Sequence, residues 1–183
     1  DNLERKIEKG SLYKLDKKLI MTKVDSNYRI TNGPTFIDQL NFYHTDSSKK
    51  IIYKIRINRN NKIISKRIFK KFKPTDGSPD GMTLDRNKNL WIAHFHGAKI
   101  SVLNSKAQLI HTVNLPAKNI TNCAFGGQKN NQLFVTSATK GLNKSDLQKF
   151  KYSGCLFSVN TNTKGILQKK FFYNYEKKRP LLR

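Results

Sequence analysis

The sequence predicts an all-β protein, and more specifically a β-propeller. Short apolar runs dominate, no window of a dozen residues has a convincing helical period, and Asn-Gly, Asp-Gly and Gly-Gly turn signals separate the runs. A unit of several strands also recurs about every 40 to 50 residues, which is the spacing of propeller blades. A β-sandwich is the alternative, but it would not explain units that match one another.

The elements follow one another along the chain with short turns between them. Only Ser145–Lys151 has a helical pattern. In chain order, the strand candidates are Ser11–Leu15, Leu19–Val24, Leu40–His44, Ile51–Ile57, Lys62–Phe69, Asn89–His94, Ala98–Leu103, Leu109–Leu115, Gln132–Thr136, Cys155–Val159 and Gly165–Phe172.

Three blade-like units align with one another, over about residues 31–57, 79–103 and 121–159. Residues 9–24 match the end of such a unit, as if a preceding blade ended there, and residues 173–183 form a basic tail. A chain of 183 residues supplies about four blades at this spacing. We therefore expect one partial β-propeller domain over residues 1–183.

The charge is strongly basic, with 36 Lys and Arg against 12 Asp and Glu, so the net charge is +24. The cations are mostly Lys, spread along the whole chain, whereas nucleic-acid recognition favours Arg. No zinc-finger, helix-turn-helix or RNA-recognition motif is present. These features favour a solvated lysine-rich surface over a nucleic-acid partner.

Targeting signals and cysteine spacing indicate a cytoplasmic protein. No run of about 18 apolar residues predicts a membrane span, and the first residues do not resemble a signal peptide. Cys123 and Cys155 have no metal-ligand spacing, so we expect free, buried thiols in a reducing compartment.

A polar residue lies at an equivalent position near the start of each aligned unit: Asn32, Asp80 and Asn122. The innermost strand of each propeller blade lines the central channel, so these side chains would converge on its axis. Amide and carboxylate oxygens suit hard cations such as Ca²⁺, Mg²⁺ or Mn²⁺. The alternative is that Asn32-Gly33 and Asp80-Gly81 are ordinary hairpin turns.

Other polar residues suggest chemistry less strongly. His94 and His96 would share one face of a strand, but no third soft ligand supports a zinc site. His44, Asp46 and Ser47 contain the residue types of a catalytic triad, although adjacency in sequence is poor evidence for one. We expect Asp46 to cap a turn before Lys49 and Trp91 to lie in the core.

Several motifs together resemble the gluconolactonase/regucalcin family, also called the senescence marker protein family. The resemblance runs from about Lys9 to Lys164, and it rests on these stretches in this order: Gly10–Asp16, Ile30–Pro34, Ser78–Asp85, Asn89–Ala93, Leu115–Ala117, Cys123–Gly127, Phe134–Ala138 and Ser153–Phe157. It implies a six-bladed propeller with one divalent cation in its channel, Ca²⁺ in the first place and Zn²⁺, Mn²⁺ or Mg²⁺ otherwise. The implied reaction is hydrolysis of a small sugar lactone to an aldonic acid.

The resemblance also assigns residues. Asn32 matches a metal-binding Asn of the family, and Asp80 matches a metal-binding Asp that is also the favoured general base. A third family ligand, a Glu in a Gly-Glu-Gly/Ser-Pro element, has no counterpart among Glu4, Glu8 and Glu176, and an Arg-x-Asn-Asp substrate element is also absent. We expect the chain to correspond to about the C-terminal 60% of a family member.

Two further expectations follow from a partial propeller. Exposed blade edges would promote self-association. A non-catalytic basic propeller remnant that binds an anionic partner is the alternative to a lactone hydrolase.

Overall fold

The computed structural model describes residues 7–167 and 171–172, so the basic tail over residues 173–183 lies outside the described part. Within that part the chain is all-β, with one short helix, α1, and a 3-10 turn at Pro74–Asp76. The elements are β1 (Gly10–Leu15), β2 (Met21–Tyr28), β3 (Thr31–Phe36), β4 (Asn41–Asp46), β5 (Ile51–Ile57), β6 (Ile63–Lys71), β7 (Ser78–Leu84), β8 (Leu90–Phe95), β9 (Lys99–Leu103), β10 (Leu109–Asn114), β11 (Asn119–Gly126), β12 (Gln132–Ala138), α1 (Lys144–Lys149) and β13 (Leu156–Asn160).

Over residues 7–167 the strands form four antiparallel sheets, each built from consecutive strands: β1–β2, β3–β6, β7–β10 and β11–β13. The first strands of the last three sheets, β3, β7 and β11, are neighbours, with β7 packed between the other two. Sheets that stack face to face with their first strands side by side have the blade arrangement of a β-propeller. The fold class predicted from the sequence is confirmed.

Strand pairing repeats from the second sheet to the third with a constant offset of 48 residues. Asn32 and Asp80 therefore occupy the same position on the first strands of adjacent sheets. The matching pairs are Thr31↔Asp46 and Pro79↔His94, Thr35↔Tyr43 and Thr83↔Trp91, and Phe42↔Ile55 and Leu90↔Leu103.

The core lies between the sheets, because the central strands bury both faces. On β8, Leu90 and Ile92 point toward the β3–β6 sheet, whereas Trp91 and Ala93 point toward the β11–β13 sheet. This alternation is the period of two that a strand imposes. Burying a large apolar side chain of this kind stabilises the fold by about 1.5–3 kcal/mol.

The β1–β2 hairpin is fastened to the β3–β6 sheet by a charged and aromatic cluster. Lys66 Nζ lies 2.8 Å from an Asp25 carboxylate oxygen, 4.2 Å from the ring centre of Tyr28 and 4.9 Å from that of Tyr53. The Tyr28 hydroxyl donates a hydrogen bond to Asp25 Oδ2. The hairpin is thus held by polar contacts as well as by Leu12, which packs on the core of the adjacent sheet.

Two local expectations from the sequence are wrong in part. Cys123 is buried as predicted, but Cys155 is exposed because it precedes β13 at a sheet edge, and both thiols are free. In the described portion of Gly165–Phe172, Gly165 makes one isolated bridge to Asp85 in place of a strand. Among the described residues, no helix combines the length and the apolarity that a membrane crossing requires.

Candidate functional site

Asn32 and Asp80 lie inside strands β3 and β7, so the hairpin-turn interpretation of these dipeptides is wrong. The ladder is irregular beside both, between Asn32 and Thr35 on β3 and between Pro79 and Met82 on β7. One extra residue in a ladder bends the strand and changes the direction of its side chains. Gly33 has a φ of 82°, a left-handed conformation that favours glycine.

The Asp80 carboxyl group has no cationic partner among the described residues. Burial raises its pKa to about 7, and a hydrogen bond from the Gly81 N–H opposes the rise only in part. In the described part of the chain, five other acidic side chains are paired with Lys, namely Glu8, Asp25, Asp46, Asp76 and Asp146. In a chain of net charge +24, Asp80 is a half-buried carboxyl group left available for an external cation.

The Asn32 side chain is connected to the backbone beside Asp80 through Ser47. Asn32 Nδ2 donates to Ser47 Oγ at 2.8 Å, and Ser47 Oγ donates to the Pro79 carbonyl oxygen at 2.6 Å. The two residues that the sequence predicts as ligands therefore occupy equivalent positions on contacting strands, and Ser47 links Asn32 to the residue before Asp80.

Asn122 on β11 lies against the residue that follows Asp80. A Cβ atom built on Gly81 would lie 2.1 Å from Asn122 Oδ1, so only a glycine leaves room for this side chain. Asn122 Oδ1 also accepts a hydrogen bond from the Cys123 N–H at 2.8 Å. The alignment of the three units had placed Asn122 with Asn32 and Asp80, and the contact with Gly81 is consistent with that alignment.

The donor set fits a hard divalent cation in kind, because it offers a carboxylate and amide oxygens. No group of three or more His, Cys, Asp or Glu side chains suited to a metal occurs in the described part of the chain. Glu8 is occupied elsewhere, with its carboxylate 2.7 Å from Lys49 Nζ. Any cation held by Asn32 and Asp80 would need further oxygen ligands from water, substrate or other chain segments.

The histidines do not form a metal site or a triad among the described residues. His44 and His94 are buried, and His94 packs edge-on against Phe72 at 5.0 Å. His96 follows the end of β8 with a φ of 61°, so it does not share a strand face with His94. Asp46 accepts hydrogen bonds from the backbone of Arg29, Ile30 and Lys49, which is the structural role that the sequence indicated.

Ser47 is the residue of this site that sequence reasoning missed. The sequence placed it beside His44 and Asp46, but its hydroxyl contacts Asn32 and Pro79, which lie 15 and 32 residues away. No local pattern reports such contacts.

Residues 1–139 match the family model described as the SMP-30/Gluconolactonase/LRE-like region. The chain belongs to this family. It is 30% identical over 164 residues to regucalcin from Danio rerio, covering 86% of this chain and 55% of that protein. It is 25% identical over 164 residues to 6-deoxy-6-sulfogluconolactonase from Pseudomonas putida, covering 88% and 56%.

Solved structures agree on the fold. A luciferin-regenerating enzyme matches with a TM-score of 0.79 and 31% identity over 87% of this chain and 54% of that one. A calcium-binding regucalcin from Agrobacterium tumefaciens matches with a TM-score of 0.81 and 22% identity over 90% and 56%, a likeness in fold alone. The sheets are those of a regucalcin-type β-propeller, and the chain spans about half the length of the relatives it matches.

Proposed function

We propose that this chain carries the cation site of a sugar-lactone hydrolase, in which Asn32 and Asp80 hold a divalent cation and Asp80 is the general base. The observation that carries the proposal is the Asp80 carboxyl group on β7, which has no cationic partner among the described residues of a strongly basic chain. Relatives named as lactonases support the substrate class, a small sugar lactone. Ca²⁺ is the first choice, because the donors are a carboxylate and amide oxygens, the kind of ligand that Ca²⁺ takes in proteins.

The chemistry is hydrolysis of a cyclic ester. Water attacks the carbonyl carbon, the bond between that carbon and the ring oxygen breaks, and a hydroxy acid leaves. Asp80 takes a proton from the water and returns it to the ring oxygen. A bound divalent cation supplies Lewis-acid polarisation of the carbonyl group.

The test is lactone hydrolysis with Ca²⁺, Mn²⁺, Mg²⁺ or Zn²⁺ added to wild type and to Asp80→Asn. We expect cation-dependent turnover that falls at least about 100-fold in the variant. The control is Asp146→Asn, which removes a carboxylate that pairs with Lys118 on the surface and should leave turnover unchanged. Turnover that ignores the cation, or survives Asp80→Asn, would exclude the proposal.

The second candidate is a non-catalytic propeller remnant that binds an anionic partner. A groove between the β1–β2 hairpin and the β5–β6 turn is lined by Lys14, Lys23 and Lys62 and by no acidic residue. Binding to a polyanion that weakens steeply with salt, without lactone turnover, would favour this function. Two free cysteines support the cytoplasm as the location of either function.

A further inference from the structure

We propose that Ser47 is a positioning residue that fixes the orientation of the Asn32 amide group and the backbone beside Asp80. The inference rests on the proposed cation site. It adds a residue, from the turn after β4, whose hydroxyl group connects the two proposed ligands across two sheets.

The direction of the hydrogen bonds follows from chemistry. A carbonyl oxygen can only accept, so the single hydroxyl proton of Ser47 is donated to Pro79 O, at 2.6 Å. Ser47 Oγ can then only accept from Asn32, and the atom that faces it must be the Nδ2 donor, at 2.8 Å. Asn32 Oδ1 is therefore turned away from Ser47 and left available as a ligand.

Ser47 is itself held rigidly. It is 2% exposed, its backbone N–H donates to Ile30 O at 2.9 Å, and its carbonyl accepts from the Lys50 N–H at 3.2 Å. A donor or acceptor fixed in this way selects one amide orientation before a ligand arrives. Such preorganisation around first ligands is worth about 10- to 100-fold in metal affinity.

The consequence for the site is coupling between strands. Asn32 is tied through its side chain and Asp80 through the backbone of the preceding residue, so one hydroxyl group sets the relative placement of the β3 and β7 ligands. Without it, the Asn32 amide can rotate by half a turn and present its NH₂ group, which cannot bind a cation.

The experiment measures Ca²⁺ or Mn²⁺ affinity by calorimetry for wild type, Ser47→Ala and the milder Ser47→Cys, whose thiol is a weak donor. We expect about a 10-fold or larger loss for Ser47→Ala and a smaller loss for Ser47→Cys. The matched control is Thr35→Val, because Thr35 Oγ1 also donates across the same strands, to Met82 O at 2.8 Å. Thr35→Val should lower thermal stability without changing cation affinity.

A double variant separates positioning from general loosening. In an Asn32→Ala background, Ser47→Ala should cause a smaller loss of affinity than it does in wild type, because only the contact with the Pro79 carbonyl remains to be removed. Unchanged affinity in Ser47→Ala, an equal loss in Thr35→Val, or fully additive losses in the double variant would each overturn the inference.

A cation-free measurement keeps this inference distinct from the proposed function. If wild type binds no divalent cation, the proposed function fails. The Asn32 side-chain NH₂ signals in a ¹⁵N–¹H spectrum, assigned with Asn32→Ala, still report on Ser47. In wild type we expect slow hydrogen exchange with water and a shifted proton resonance for this NH₂ group, and both should be lost in Ser47→Ala. Identical signals in the two proteins would overturn the role of Ser47.

Discussion

His44 and His94 are two buried imidazoles whose ring nitrogens lack a hydrogen-bond partner among the described residues. Burial lowers the pKa of each to about 4, with a smaller contribution from Lys66 for His44 and from Lys99 for His94. The unfolded chain binds these protons near pH 6.5 and the folded chain only near pH 4. The stability that these neutral histidines contribute is therefore fully present above pH 6.5 and is lost as the pH falls toward 4.

The first prediction is that His44→Phe makes the protein less sensitive to acid. Between pH 7.5 and 5, each buried histidine should lower the free energy of unfolding of wild type, measured with urea, by about 2 kcal/mol. The decrease in His44→Phe should be smaller by about that amount. His111→Asn, at an exposed position of β10, is the control and should lose as much stability between the two pH values as wild type does. An equal loss in wild type and His44→Phe would contradict the prediction.

Asp80 has the opposite dependence on pH. Because burial raises its pKa to about 7, the folded chain holds this proton up to neutral pH, whereas the unfolded chain releases it near pH 4. We predict that Asp80→Asn stabilises the cation-free protein by about 1–3 kcal/mol at pH 8, an amount reduced for partial solvent access, and has little effect at pH 4. Urea unfolding at the two pH values tests this, and a destabilised variant at pH 8 would be the contrary result.

At the scale of elements, the β1–β2 hairpin depends on the cluster around Lys66. Lys66→Met keeps the aliphatic stem but removes the ion pair with Asp25 and the cation–π contacts with Tyr28 and Tyr53. We predict a loss of about 1–2 kcal/mol, seen as faster hydrogen exchange in β1 and β2. Lys71→Met is the control, because Lys71 is exposed at the end of β6, the strand that also carries Lys66, and it should leave the hydrogen exchange of β1 and β2 unchanged.

The sequence revealed some elements better than others, for physical reasons. The buried strands β4, β5, β8, β9 and β12 were predicted directly, because their apolar residues alternate or run without interruption. The inner strands β3 and β7 emerged only from the alignment of repeated units, because glycine and proline are poor strand formers. The contact between Ser47 and Pro79 depends on the packing of two sheets and has no local pattern.

For the whole molecule, apolar side chains are exposed near the first and last sheets. Ile20, just before β2, is 57% exposed, and Met21, the first residue of β2, is 67% exposed. Leu156 on β13 is 66% exposed. We predict that the 183-residue chain self-associates through these exposed apolar side chains. The association should increase with salt concentration, because salt screens the repulsion between copies of net charge +24. Sedimentation velocity at two salt concentrations tests this, and a monomer at both would contradict it.

The excess of Lys and Arg over Asp and Glu also produces a positive electric field that acts on charges inside the molecule. With a screening distance of about 30 Å in 0.01 M salt, this positive field opposes the approach of a doubly charged cation to the site proposed at Asn32 and Asp80. In 0.1 M salt the screening distance is about 10 Å, which confines the field near the surface. We predict that the affinity of the proposed site for Ca²⁺ increases when an inert electrolyte is added, which is the reverse of the usual weakening of ion binding by salt. Calcium binding at the proposed site should therefore be weak in a dilute buffer and stronger at physiological ionic strength.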